Sequence, residues 1–317
     1  MVQISKKTPE RFLKRALKIV RTGFGQPSIF NTDAIIQEMI RQGKSLEDAR
    51  SGGASGCVES GIFGKENYNL TGYFNLPKVL EIALNNGLDP RIGKRIGIET
   101  GDPRTFSSFE DLIEAFRRQV NHFVDIKIRG NNIIERIYAD YLPTPFLSLL
   151  IDDCIAKGKD YHDGGARYNT SYIQGVGIGT ITDSLTSIKH NVFDTGALSF
   201  GDLLDALMDD FEGREVLRQK LLNKTPKYGN DDDYPHTVMR IVNFILMVGI
   251  EKQMRVQHIR IRHSFVLEAG RESMMTFHHY WGPGGRCSIR KRVISMRRCT
   301  GVSLPSLRPW SRLGYAM

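Results

Sequence analysis

Residues 55–87 read SGCVESGIFGKENYNLTGYFNLPKVLEIALNNG, and the reading of this stretch decides the fold. Cys57 sits in a glycine-rich turn that reaches back to Gly52 and forward to Gly61, with Glu59 two positions on. Glycine tolerates unusual φ and presents no side chain, so such a turn lets backbone approach a ligand closely. On an extended segment, residues two apart point to one face. One of the pair can then act on a substrate carbon while the other handles a proton on a neighbouring group. Spacing alone favours a second reading, a buried cysteine on a strand with a surface glutamate near a turn. No histidine lies beside Cys57 to hold it as thiolate, which speaks against protease-like nucleophilic catalysis. Further along, Asn75 and Pro77 open a helix that Asn85, Asn86 and Gly87 close.

Outward from this stretch, the punctuation is that of helices alternating with short strands. Thr8-Pro9-Glu10 reads as a helix start, with Phe12, Leu13, Ala16, Leu17 and Val20 on its inward face. Asn31 or Thr32 caps a second helix that turns Ile35, Ile36, Met39 and Ile40 inward, and Ser45 with Asp48 reads as a short capping box. A long helix starts near Ser107 or Ser108, with Phe109, Leu112, Ile113, Phe116, Val120 and Phe123 along one side, and residues 133–142 read as helix up to Pro143. The apolar run Phe146–Ile151 reads as a short buried strand. A helix through Leu203, Leu204, Leu207, Met208 and Phe211 ends at Gly213. The expected class is α/β.

The 317 residues suffice for a sizeable core, and 40% hydrophobic with 25% charged residues is globular composition. No apolar run is long enough to span a bilayer, so no membrane role is expected. The four cysteines, Cys57, Cys154, Cys287 and Cys299, fit no zinc or redox spacing, which points to a reducing, cytoplasmic setting. The net charge of +9 is unevenly placed. Residues 240–317 hold 12 Arg and 2 Lys against 3 Glu, a surplus of 11 that leaves −2 for residues 1–239. No Asp follows Asp233, and both tryptophans, Trp281 and Trp310, lie in this region. Residues 1–239 are therefore expected to form one domain. Residues 240–317 are expected to be an aberrant basic tail, out of frame or disordered. The alternative from another class is a non-enzymatic protein whose basic tail binds nucleic acid.

Five segments carry a resemblance, in matching order. They are residues 55–87 quoted above, GKRIGIETGDPRTF, DIKIRGNNIIERI, KGKDYHDGGARYNTSYIQGVGIGTITDSL and LLNKTPKYGNDDDY. From about residue 2 to about residue 238 the chain resembles the glycyl radical enzymes, in their pyruvate formate-lyase-like dehydratase and lyase branch. Val58 stands where pyruvate formate-lyase itself has a second cysteine, which argues against acyl transfer. The resemblance implies roughly the second half of a ten-stranded α/β barrel. It also implies elimination of water, or of an amine, from a small hydroxylated substrate, with hydroxyproline first and glycerol or propanediol as alternatives.

By that resemblance Cys57 is the thiyl radical that abstracts a substrate hydrogen, Glu59 the general acid or base, and Tyr73 a substrate-facing side chain. A core or hydrogen-bonded tyrosine is an equal reading of Tyr73. No bound metal or separate cofactor is implied. The family's backbone glycyl radical is installed by a radical S-adenosylmethionine iron–sulfur activating enzyme, the expected protein partner, and intact members are expected to be homodimers. Whole members are much longer, so the chain is expected to be a fragment that is inactive alone. Its Arg312-Leu313-Gly314-Tyr315 is one residue short of the family's RVxGY glycyl loop, and Gly314 is not assigned a radical.

Other motifs weigh less. Gly175–Thr180 lacks a P-loop lysine and reads as a tight strand-to-helix turn. Asp231-Asp232-Asp233 reads as a solvated loop, and Asp152-Asp153-Cys154 as a helix start with a buried small residue. His278, His279, Cys287 and Cys299 suggest zinc only if the tail is a genuine coding frame.

Overall fold

The computed structural model describes residues 1–24, 27–55, 59–230, 232–256 and 262–267. The chain opens with β1 (Val2–Ile4), α1 (Glu10–Ile19), β2 (Ile29–Asn31), α2 (Thr32–Arg41) and α3 (Leu46–Ser51). The hairpin strands β3 (Gly53–Ser55) and β4 (Glu59–Gly61) follow, then β5 (Glu66–Asn75) and α4 (Leu76–Ala83). A small hairpin, β6 (Leu88–Asp89) and β7 (Lys94–Arg95), leads to α5 (Phe109–Tyr141), α6 (Pro145–Leu150) and α7 (Cys154–Lys157). Last come β8 (Tyr168–Val176), α8 (Ile178–Ile188), α9 (Phe200–Met208), α10 (Glu215–Asn223), α11 (Asp233–Val256) and β9 (Arg262–Leu267). Among the described residues no helix is long and apolar enough to cross a membrane.

The centre is a parallel sheet in the order β5-β8-β9. Parallel strands need long crossovers, and here helices supply them. Asn75 ends β5 and caps α4, its side-chain oxygen accepting from the Lys78 N–H at 3.1 Å. Gly177 makes the turn from β8 into α8 at φ 87°, in the left-handed region, and a Cβ there would stand 2.7 Å from Pro77. The glycine run at 175–180 is thus the tight turn expected of it.

One face of the sheet carries the main core. α5 and α8 each pack on α4 and α11. Leu112, Phe116, Val120 and Ile128 of α5 meet Leu80, Ile181 and Val242, all at 1% exposure or less. The start of α5 is the expected capping box: Ser108 Oγ accepts from the Asp111 N–H at 3.2 Å, and Asp111 accepts from the Ser108 N–H at 2.9 Å. Asp153 precedes α7 and Cys154 is buried, also as expected.

Three expectations need correction. Residues 146–151 are not a buried strand: α6 spans Pro145–Leu150 and buries none of its residues. Pro145 fits the first helical turn, and Asp160 fixes the entry by accepting from the Thr144 N–H and the Ser148 hydroxyl, each at 2.8 Å. In α1 only Ala16 is buried, and Phe12 is 48% exposed, because the apolar face meets little beyond the turn that follows it. Thr8 does not cap α1. Its hydroxyl accepts from the Ser5 N–H at 2.9 Å, while Pro9 holds the cap position. The position 239/240, where the sequence changes character, lies inside α11.

Candidate functional site

On both sides of residues 56–58 the glycine-rich stretch forms paired strands. β3 and β4 pair antiparallel, with Gly53 opposite Gly61 and Ser55 opposite Glu59. Cys57, with Gly56 and Val58, lies outside the described residues. Glu59 opens β4 and is only 9% exposed, which replaces the alternative of a surface glutamate. A carboxylate taken out of water needs nearby polar partners, and the surroundings of β4 are built from such groups.

A buried ion pair lies under the hairpin. Lys44 Nζ donates to both carboxylate oxygens of Glu66, at 2.6 and 2.7 Å. The two side chains are 2% and 0% exposed. Burial pulls the Lys44 ammonium below its ordinary range, against the opposing pull of the Glu66 charge. Glu66 also accepts from the Ile62 N–H at 2.8 Å, one residue past the end of β4. The Tyr172 hydroxyl donates to the Ser60 carbonyl at 2.7 Å and lies 3.3 Å from Glu66. Gly61 runs between these contacts. A Cβ on it would stand 2.6 Å from Glu66 Oε2 and 2.7 Å from the Tyr68 hydroxyl, so the close approach excludes a side chain.

Tyr68 and Tyr172 stack with centroids 5.8 Å apart and rings 9° from parallel. Both phenols are pushed well above their ordinary value, first by burial and then by the negative charge of Glu66, with Glu59 contributing to each. Both therefore stay protonated at neutral pH. Beside them, Asp48 of α3 accepts from Lys65 Nζ at 2.6 Å and from the Tyr168 hydroxyl at 2.7 Å. These hydrogen bonds, that from Lys65 foremost, hold its carboxyl down at about 2.

Tyr73 reaches this face through an irregularity. On an unbroken strand, Tyr68 and Tyr73 would point to opposite faces. A register shift between Leu70 and Gly72 inserts one extra residue in β5 and sets Tyr73 opposite Gln174. Gln174 is two residues from Tyr172, so Tyr73 joins the tyrosine face, while Phe74 turns into the helical core. Tyr73 is 52% exposed and so lies outside the core of the described residues.

The structure thus brings Glu59, Tyr68, Tyr172 and the ion pair together and puts Tyr73 on the same sheet face. Lys44, Glu66, Tyr68 and Tyr172 went unnoticed in the sequence. The available signal was the alternation of Glu66 and Tyr68 along ENYNL, matched by Tyr168 and Tyr172 in YNTSY. A groove of about 380 Å³ lies elsewhere, on the helical side, between Leu80, Leu84, Ile188, Leu204 and Met208, and holds none of these residues. Among the described residues no cluster of His, Cys, Asp and Glu is arranged to hold a metal ion. His278, His279, Cys287, Cys299 and Gly314 lie outside the described residues, as does Asp231 of the acidic run.

Comparison with known proteins bears on the same stretch. The family profile described as pyruvate formate lyase-like matches residues 1–266. Trans-4-hydroxy-L-proline dehydratase of Clostridioides difficile is 62% identical over 239 residues, 75% of this chain and 30% of the relative. The (2S)-3-sulfopropanediol dehydratase of Klebsiella oxytoca is 34% identical over 244 residues, 76% of this chain and 29% of the relative. The crystal structure of hydroxyproline dehydratase from C. difficile with trans-4-hydroxy-L-proline bound superposes with a TM-score of 0.73 at 56% identity, covering 84% of this chain and 33% of that one. The glycerol-bound B12-independent glycerol dehydratase of Clostridium butyricum gives 0.74 at 34% identity, covering 87% and 34%. The chain spans about a third of the length of these relatives, so its α/β arrangement is part of their larger architecture.

Proposed function

Because the chain belongs to the pyruvate formate lyase-like family, we propose that it is the thiol-bearing part of a glycyl radical dehydratase acting on trans-4-hydroxy-L-proline. The observation that carries this reading is the 62% identity to the hydroxyproline dehydratase, against 34% to the sulfopropanediol dehydratase over a similar span. Cys57 is the hydrogen-abstracting residue, Glu59 the proton-handling one, and Tyr73 a substrate contact.

The residues present suit a hydrogen-atom relay: a thiol two positions in sequence before a buried carboxylate, which sits on a strand pinned to a tyrosine-lined sheet. The glycyl radical, when present, supplies the acceptor that converts the Cys57 thiol to a thiyl. An S–H bond is weak enough for its sulfur radical to exchange hydrogen with an activated C–H bond. Cys57 takes a hydrogen atom from the carbon next to the hydroxyl-bearing carbon. Glu59 gives the departing hydroxyl a proton, and water leaves. A second proton returns from the substrate radical to Glu59, and Cys57 gives back its hydrogen atom, so the net change is loss of one water. Burial of Glu59 keeps both proton transfers away from bulk solvent. The partners are a small hydroxylated substrate, an activating enzyme of the radical S-adenosylmethionine type and a second copy of the whole enzyme, and the setting is the cytoplasm.

The test places the matched stretch of this chain in the C. difficile enzyme, activated anaerobically. Cys57→Ser in that chimera should abolish turnover and leave the glycyl radical signal intact. Glu59→Gln should lower kcat by about 10²-fold or more. Full turnover by the Cys57→Ser chimera removes the proposed role.

A further inference from the structure

The backbone in and just after β4 is held by two side chains, Glu66 from the start of β5 and Tyr172 from β8, 112 positions away. Glu66 holds the Ile62 N–H at 2.8 Å, and Tyr172 holds the Ser60 carbonyl at 2.7 Å. A two-stranded pair leaves alternate backbone groups of β4 turned away from β3, and these two side chains supply the partners of the Ile62 N–H and the Ser60 carbonyl. The ion pair is also costly to keep. Two opposite charges at 2% and 0% exposure lose their hydration, and apolar pairs of similar size commonly stabilise as well or better. A buried pair kept despite that alternative calls for a role other than stability. Its position gives one: Glu66 bridges α2's exit, through Lys44, to the backbone just after Glu59.

We propose that Lys44, Glu66 and Tyr172 are positioning residues that fix β4, the strand that carries Glu59, against the β5–β8 sheet. Lys44 orients the Glu66 carboxylate by occupying both of its oxygens. Glu66 then fixes residue 62, and Tyr172 fixes residue 60. Gly61 is the bare backbone between them, close enough to Glu66 and Tyr68 to leave no space for a Cβ. The assignment rests on the dehydratase reading for its purpose, while the anchoring itself is measurable without turnover.

The experiment uses the 317-residue chain, with the Lys44→Met/Glu66→Met double variant and the Tyr172→Phe variant. Three quantities are read: the thermal midpoint, amide exchange at Ile62, and the pH profile of Cys57 alkylation by iodoacetamide, followed by mass spectrometry of its peptide. The double variant is expected to keep a midpoint near that of the parent, because an apolar pair replaces a buried ion pair. Ile62 exchange and Cys57 alkylation should each rise about tenfold or more, the loss of roughly one hydrogen bond to a charged group. The alkylation profile should also move toward that of the unfolded chain. Tyr172→Phe should raise both rates several-fold and serves as the deciding variant if the double variant does not fold. Parent-like exchange and alkylation in a folded variant overturn the proposal. A chimera that fails to dehydrate hydroxyproline while these rates shift as expected overturns the dehydratase reading alone.

Discussion

The two faces of the β5–β8 pair are built on opposite terms. The outer face sends Phe74 and Ile173 into a core with Leu80, Phe116 and Ile181, and its main polar point is the Ser171 hydroxyl against the buried carboxylate of Glu135. The inner face carries Glu66, Tyr68, Tyr172 and Tyr73, with Lys44 and Asp48 brought in by the preceding helices. Apolar packing is undirected and tolerates many arrangements of similar volume, whereas hydrogen-bonded charges fix a geometry or cost free energy. A sheet whose one face is core and whose other face is a polar lattice is therefore specified for stability on one side and for position on the other.

The largest expected effect breaks the outer face. Phe116→Ala removes a wholly buried ring at the middle of α5 and should cost about 3–5 kcal/mol in urea unfolding of the chain, without altering Cys57 alkylation in the remaining folded fraction. On the inner face, Glu66→Gln alone leaves the Lys44 ammonium buried without its counter-charge and should cost about 3 kcal/mol. The contrast with the double methionine variant separates the charge from the volume. Gly61→Ala comes next, at about 1–3 kcal/mol from overpacking against Glu66 and Tyr68, again by urea unfolding.

The smallest effect depends on pH. Asp48 titrates at about 2 when folded, below its ordinary 3.8. Its contribution is complete above the unfolded value and is lost as pH falls from there toward the folded one. Thermal midpoints of the parent and Asp48→Asn should therefore differ at neutral pH and converge as the medium is acidified through that window. A difference that persists unchanged below it assigns the effect to something other than this carboxylate.

Local signals in the sequence were readable because their partners are neighbours. Ser108 and Asn75 cap helices within three residues, and Gly177 turns strand into helix beside Pro77 in the way its glycine neighbours suggested. The inner face could not be read this way. Lys44 and Glu66 are 22 positions apart and Tyr172 reaches back 112 positions to Ser60, so no window holds both members of either pair. The hairpin strands Gly53–Ser55 and Glu59–Gly61 have small residues with no apolar alternation, and hydrophobic periodicity passes over them. The bulge between Leu70 and Gly72 changes the parity of β5, so counting by twos assigns Tyr73 to the wrong face. Hydrophobicity misleads at α6, where Phe146 and Leu149 are 75% and 64% exposed. The proposed pairing of Cys57 with Glu59 as a chemical unit rests on family resemblance and not on spacing.

The most direct measurement is turnover by the chimera in which the 239 residues matched to the C. difficile hydroxyproline dehydratase come from this chain. Trans-4-hydroxy-L-proline, glycerol and propanediol are supplied in parallel after anaerobic activation. Dehydration of hydroxyproline well ahead of the other two is the expected result. A chimera that carries the glycyl radical signal but dehydrates glycerol or propanediol in preference, or none of the three, contradicts it.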